Sequence, residues 1–198
     1  MNDTRLKGLI ISQSSVFFAS SLIFPYYILF IKNVGSSFAQ FGLSYGLFGL
    51  SSALLHPVIG RFSPLIDHRL FLVVNAWGMA SVLLLFPHVG SISQVYAIQL
   101  LLGMFGAFQK HGEKIMIAEF TDGAERGMKI GNYHFWTSIF SAVAIMAGGY
   151  LADYFTIHFI FYMSSALYFG SGLVVMRINS NKSILVKKDK GYEMSTEK

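Results

Sequence analysis

The chain has no cysteine, only four prolines, and little charge: Asp, Glu, Lys and Arg make up 13% of its 198 residues. Without cysteine there is neither a disulfide nor thiol chemistry. A soluble domain carries about twice this density of charge. With a mean hydropathy of +0.54, too little polar surface remains to coat a globule. A soluble enzyme, a nucleic-acid-binding domain and a disordered tail are excluded on these grounds. Also missing is the Gly-x-x-x-x-Gly-Lys-Ser/Thr loop that cradles ATP phosphates. There is no His-Glu-x-x-His and no histidine cluster that would hold a metal. The serines of the apolar runs have no His and Asp at useful spacing. Neither a cofactor, a metal nor an enzymatic activity is expected.

What the chain does have is long apolar runs separated by short charged clusters. A helix crossing a bilayer needs about 20 mostly apolar residues. Six runs qualify, at 9–31, 40–60, 70–86, 95–118, 131–150 and 157–176. They define one six-span transmembrane domain over 1–176, followed by a basic tail over 177–198. The first run is too long for a signal peptide, and no small-x-small cleavage site follows it, so it is expected to stay as a span. With both termini inside, 14 of the 15 Lys and Arg residues face the cytoplasm and Lys32 alone lies outside. That asymmetry predicts a multi-pass protein of the cytoplasmic membrane with both termini cytoplasmic. The lipid bilayer is its first partner.

A shift of 89 residues lays the first three runs on the last three, with Gly42 on Gly131 and Gly60 on Gly149. Three spans per half force the second half to lie inverted. The expected fold is therefore all-α, six transmembrane helices arranged as two inverted three-helix repeats.

Several short stretches carry a resemblance to a known family. Phe24-Pro25-Tyr26-Tyr27 sits in the first run. The second run ends Pro57-Val58-Ile59-Gly60-Arg61-Phe62-Ser63, with Asp67, His68 and Arg69 closing the loop after it. Glu125-Arg126-Gly127-Met128-Lys129-Ile130-Gly131 follows the fourth run, and Ala147-Gly148-Gly149-Tyr150-Leu151-Ala152-Asp153 ends the fifth. In this order and spacing the chain resembles one half of a major facilitator superfamily transporter, the N-terminal half in particular. The loop signature Gly-x-x-x-Asp-Arg-x-Gly-Arg-Arg is matched at Gly60 and in the basic character of Arg61 and Arg69. Its aspartate position holds Pro64, and Asp67 stands three residues late. The fourth run carries Gln99 where the family has arginine, four residues before Gly103. The resemblance implies secondary transport of a small solute between two six-helix halves. It also implies a cavity lined by the fourth helix and contacts between halves on the second and fifth helices. One half alone implies a homodimer, a second and different chain, or a piece of a longer gene.

The charges inside the membrane are the most informative feature. Ending the fourth span at Phe108 leaves 14 residues, about 21 Å of helix against a core of about 30 Å. The helix is therefore expected to continue through Gln109-Lys110-His111-Gly112-Glu113-Lys114 to Ala118. Gln99, Gly103, Gly106, Lys110, Glu113 and Ile117 recur at three- and four-residue steps and share one face. The glycines are expected to widen the space beside that face, and Lys110 and Glu113 are within pairing reach at i,i+3. Intramembrane charges normally face a bundle interior or a wet cavity. Desolvation and a cationic neighbour act on a carboxylate in opposite directions, so Glu113, with Lys110 and His111, fits a proton-coupling site. Direct binding of an anionic solute by the lysines, or a purely structural role, fits the same residues. Basic side chains that snorkel to the interface explain Lys114 well and Glu113 poorly.

Gln13, Gln99, Gln109, Tyr133 and Trp136 are the remaining candidates for a substrate cavity. The two aromatics suit stacking on an organic solute or anchoring at the interface. Gly42 and Gly46 on the second run, and Gly148 and Gly149 on the fifth, read as close-packing positions. The function expected from all this is proton-coupled secondary transport of a small solute by a homodimer of six-helix halves, working by alternating access. The alternatives are a non-transporting sensor or assembly protein, and a half-transporter that needs a separate partner chain.

Overall fold

In a computed structural model, the described residues are 4–27, 30, 37–121 and 123–179. The lysines of the tail from Lys182 onward, and Lys32, lie outside them. Among the described residues six α-helices follow one another: α1 (Thr4–Ile23), α2 (Phe38–Phe62), α3 (His68–Leu83), α4 (Ile92–Phe120), α5 (Arg126–Tyr154) and α6 (Ile157–Met176). All six are long and apolar enough to cross a membrane, α3 with the short 3-10 turn that follows it.

Local chemistry sets the ends. Helix α1 stops at Ile23 because Pro25 has no N–H to donate and disfavours helical backbone before it; the expected first span therefore begins earlier and breaks sooner than the apolar run suggests. Ser37 caps α2 by accepting from the Gln40 amide. Ser91 and Gln94 form a reciprocal capping box at the start of α4, which satisfies otherwise orphaned amides. No cap or break interrupts α4 before Thr121, so it runs through the charged stretch as one helix of 29 residues.

The helices pair as α1 with α5 and α6, α4 with α2 and α3, and α3 with α6. Exchanging the first triplet for the second turns α1–α5 into α4–α2 and α1–α6 into α4–α3, and leaves α3–α6 unchanged. Under the 89-residue shift the starts of α1, α2 and α3 fall within one residue of those of α4, α5 and α6. The inverted repeat is thus present both in register and in packing. Helices α1, α3, α4 and α6 form the core, and α2 and α5 stand at its two edges with most of their residues exposed.

Close approaches hold the core. A side chain at Gly172 would strike the Trp77 indole, and one at Gly78 would strike Phe105. Asn75 donates to the Phe105 carbonyl at 2.9 Å, joining α3 to α4. Ser165 and Ser171 donate to the carbonyls of Ala80 and Ser12 at 2.8 and 2.9 Å, so α6 is hydrogen-bonded to α3 and α1. Small residues and hydroxyls are what join helices in a lipid-like environment, where burying apolar surface gives no advantage.

Between α2 and α3, Asp67 accepts from the Arg69 backbone amide at 3.1 Å and so caps α3. The Arg69 guanidinium pairs with the same carboxylate at 2.7 Å and donates to the Ile178 carbonyl just beyond α6. The loop therefore ties the α3 start to the α6 end. Arg69→Ala is expected to cost about 1 kcal/mol and lower the thermal midpoint by about 2–4 °C in detergent; an unchanged midpoint would show the tie to be idle. Gly60 and Arg61 are exposed at the end of α2, with nothing within 4 Å of a side chain added at Gly60.

Candidate functional site

Glu113 lies in the C-terminal third of α4, where α1, α4 and α5 converge. Its carboxylate accepts from the Tyr133 hydroxyl at 2.7 Å, and Tyr133 is fully buried. Gln109, one turn earlier, lies beside the same carboxylate, with His134 and Lys114 near enough to act on its charge. Gln109 donates to the Gln13 side-chain oxygen across the α1–α4 seam. Gln13, also fully buried, donates to Ser12 at 3.1 Å. A polar path thus runs from Tyr133 and Glu113 through Gln109 to Gln13 and Ser12, crossing three helices. The Gln109 oxygen has no hydrogen-bond partner among the described residues.

The register explains this convergence. Gln13 and Gln109 occupy matching helices of the two repeats and meet near the middle of both. Tyr133 is only two turns into α5, so it reaches the last third of α4 across the short connection between the two helices. The carboxylate is half-buried and carries one phenolic donor. A carboxyl in such a place can take up and release a proton, and its neighbouring amides and phenol can pass one along or hold the vacated position.

The structure does not bring together all the residues of the expected stripe. Lys110 is exposed and does not pair with Glu113, whose hydrogen-bond donor is Tyr133. Gly103 and Gly106 do not widen a cavity: they admit α2, and a side chain at Gly103 would strike the Phe48 carbonyl. Ser51 closes the same seam by donating to the Leu100 carbonyl at 2.7 Å. Further along, Leu55 and Ile59 pack on Ala107 and Phe108 instead. Because the helices cross, α2 covers the stripe in one half of the membrane and leaves it open, at Lys110, in the other. His111 points away from Glu113; it hydrogen-bonds Ser63 at 2.8 Å and meets the edge of Phe71. Gln99 lies at the far end of α4 and donates to the Tyr27 hydroxyl.

That second pair borders a cavity, so Gln99, a candidate for cavity lining, does line one, while Tyr27 beside it was not among the candidates. A space of about 280 Å³ is lined by Ser20, Tyr27, Tyr45, Phe48, Phe86 and Gln99, among others. Tyr27 packs against Phe41, Tyr45 and Phe86, so the walls are mainly aromatic faces with a few hydroxyls and one amide. The proline-aromatic stretch in the first run was the available signal, but its partners come from four other helices. Trp136 lies in neither place; it is partly exposed on α5 beside Phe140.

The glycine pairs divide. Gly148 and Gly149 face the ring and hydroxyl of Tyr26, just beyond the end of α1, at 2.7 and 3.1 Å from where a side chain would begin. A side chain added at Gly42 or Gly46 would meet nothing within 4 Å, so both sit on the open face of α2. Gly42-Leu43-Ser44-Tyr45-Gly46 has the form of a nucleophile elbow, Gly-x-Ser-x-Gly. It lies inside a helix rather than at a strand-to-helix turn, and Ser44 is spent on the Phe41 carbonyl at 2.8 Å.

Six membrane-length helices in two inverted triplets are the architecture of one half of a membrane transporter. The chain belongs to the Major Facilitator Superfamily, whose pattern it matches over residues 9–192. It is 67% identical over 162 residues to YitZ of Bacillus subtilis (strain 168), described as an uncharacterized MFS-type transporter; the match covers 82% of this chain and 99% of YitZ. It is 26% identical over 175 residues to the multidrug resistance protein MdtG of Proteus mirabilis, covering 85% of this chain and 43% of MdtG. To MdtG of Klebsiella pneumoniae it is 26% identical over 156 residues, covering 76% and 38% respectively. The chain thus spans about two fifths of the MdtG proteins. It is a multi-pass membrane protein of a transporter family.

Proposed function

We propose that the chain is a proton-coupled secondary transporter of small, largely apolar organic solutes, in the cytoplasmic membrane with both termini inside. Two copies supply the two halves and rock about a shared cavity in alternating access. The observation that carries the reading is the half-buried Glu113 carboxylate held by the buried Tyr133 hydroxyl between the central helices. An ionisable group at membrane depth is kept for function far more often than for stability. The aromatic cavity beside Tyr27 and Gln99 suits flat apolar solutes with one hydrogen-bonding group. The name of the MdtG relatives, multidrug resistance proteins, agrees with a solute of that kind.

Pairing of two copies is supported by α2 and α5, whose outer faces are left open with exposed Leu43, Leu50, Leu54, Val143 and Met146. The small residues Gly42 and Gly46 on the open face of α2 would let a partner helix approach closely. Native mass spectrometry from a lipid-like detergent tests this. The expected particle is about 44 kDa, twice the 22.0 kDa chain. Gly42→Leu should shift it toward the single chain while leaving the thermal midpoint within about 2 °C, since nothing in the protomer lies there. A purely monomeric particle in lipid nanodiscs as well would favour a second, different chain as the partner.

A further inference from the structure

A groove of about 680 Å³ runs along α1 between α5 and α6, and neither Glu113 nor Tyr133, Gln109 or Gln13 lines it. Its walls are almost wholly apolar: Ile10, Ile11, Phe18, Trp136, Phe140 and Leu167. It lies within the range of about 300–1,000 Å³ that holds small ligands. Three observations give the chemistry of its occupant. First, from Lys7 to Phe18 the groove follows α1 for about 16 Å, close to half of a hydrocarbon core of about 30 Å; it is as deep as one leaflet. Second, its charged and amide groups gather at one end. Lys7 and Asn132 line the mouth, and Lys129 stands one turn before Asn132 on the same face of α5. Third, Ser14, which also lines the groove, is 3% exposed and its hydroxyl has no hydrogen-bond partner among the described residues.

We infer that this groove is a binding site for an anionic phospholipid, one acyl chain lying along α1 and the headgroup held between Lys7 and Lys129. An apolar channel of leaflet depth in contact with a bilayer fills with hydrocarbon, since neither water nor vacuum is stable there. The two cations at its mouth select the head. Ser14 offers its hydroxyl to the ester region of the chain that enters deepest. The inference stands apart from proton coupling, because it uses none of the residues around Glu113.

Trp136 lines the groove and is one of two tryptophans, so it reports on the occupant. In a Trp77→Phe variant reconstituted into vesicles, its fluorescence is titrated with phospholipid brominated on the acyl chain. Brominated phosphatidylglycerol should quench Trp136 at lower mole fraction than brominated phosphatidylcholine, by about five-fold for each cation that faces the head. Lys7→Gln with Lys129→Gln should bring the two lipids to equal quenching. Equal quenching in the parent, or a preference that survives loss of both lysines, would overturn the assignment. Native mass spectrometry of the unaltered chain from mixed-lipid nanodiscs gives a second reading that needs no tryptophan substitution. Retained phosphatidylglycerol that disappears in the double lysine variant supports the site. Retention of all lipids alike contradicts it.

Discussion

Glu113→Gln is expected to abolish solute movement driven by a pH gradient while leaving exchange of solute between the two sides of a vesicle intact. The amide has nearly the carboxylate's shape and can still accept from Tyr133, so the helix junction keeps its hydrogen bond. What it cannot do is bind and release a proton. The expected result is gradient-driven accumulation at the level of empty vesicles and exchange close to the parent's. Tyr133→Phe removes the hydroxyl but keeps the carboxyl, so coupling should survive with a displaced pH profile. If Glu113→Gln left the pH dependence unchanged, Glu113 would have no part in coupling. If it abolished exchange as well, the role would be in solute binding or folding.

The second large effect belongs to the seam between α2 and α4. Gly103→Leu places a branched side chain where the Phe48 carbonyl stands, and backbone at a helix crossing cannot move aside as a side-chain tip can. Overpacking of this kind costs about 1–3 kcal/mol, and separating the helices would also lose the Ser51 hydrogen bond to Leu100. At the upper end this lowers the thermal midpoint by about 6–12 °C for a chain of this size. The same substitution at Gly42 meets nothing within 4 Å and should leave the midpoint nearly unchanged. A Gly103→Leu midpoint equal to the parent's would mean that α2 is free to stand further from α4 than the structure places it.

Much of the fold could be read from the chain because a bilayer imposes lengths. The six runs, the 89-residue repeat and the continuation of α4 through Lys110 and Glu113 all follow from how many residues cross a hydrocarbon core. The candidates Gln13, Gln109, Glu113 and Tyr133 do lie together. Which side of each helix meets which neighbour was not legible. In a soluble protein the apolar stripe marks the buried side, but α2 and α6 are apolar all round and carry no such mark. Gln99, Gly103, Gly106 and Lys110 share a face by spacing alone, but what covers that face is set by neighbouring helices. Helix crossing lays α2 over its glycines, turns Gln99 to Tyr27 and leaves Lys110 exposed. Pairing of Glu113 with Tyr133, and of Gln99 with Tyr27, joins residues on different helices, and periodicity within one helix cannot show such pairs. The loop residues Asp67 and Arg69 were recognisable as a signature. That they tie α3 to the end of α6 depends on Ile178, which has no signature of its own.

The measurement that bears most directly on proton-coupled transport by this chain is proton movement in vesicles containing it alone. A pH-sensitive dye is trapped inside, a pH gradient is imposed, and a flat, apolar fluorescent solute with one hydrogen-bonding group is added. The solute is expected to accelerate collapse of the gradient in parent vesicles and to have no effect in Glu113→Gln vesicles. An unchanged gradient in parent vesicles, across a panel of such solutes and with the inserted chain shown to be dimeric, would contradict proton-coupled transport.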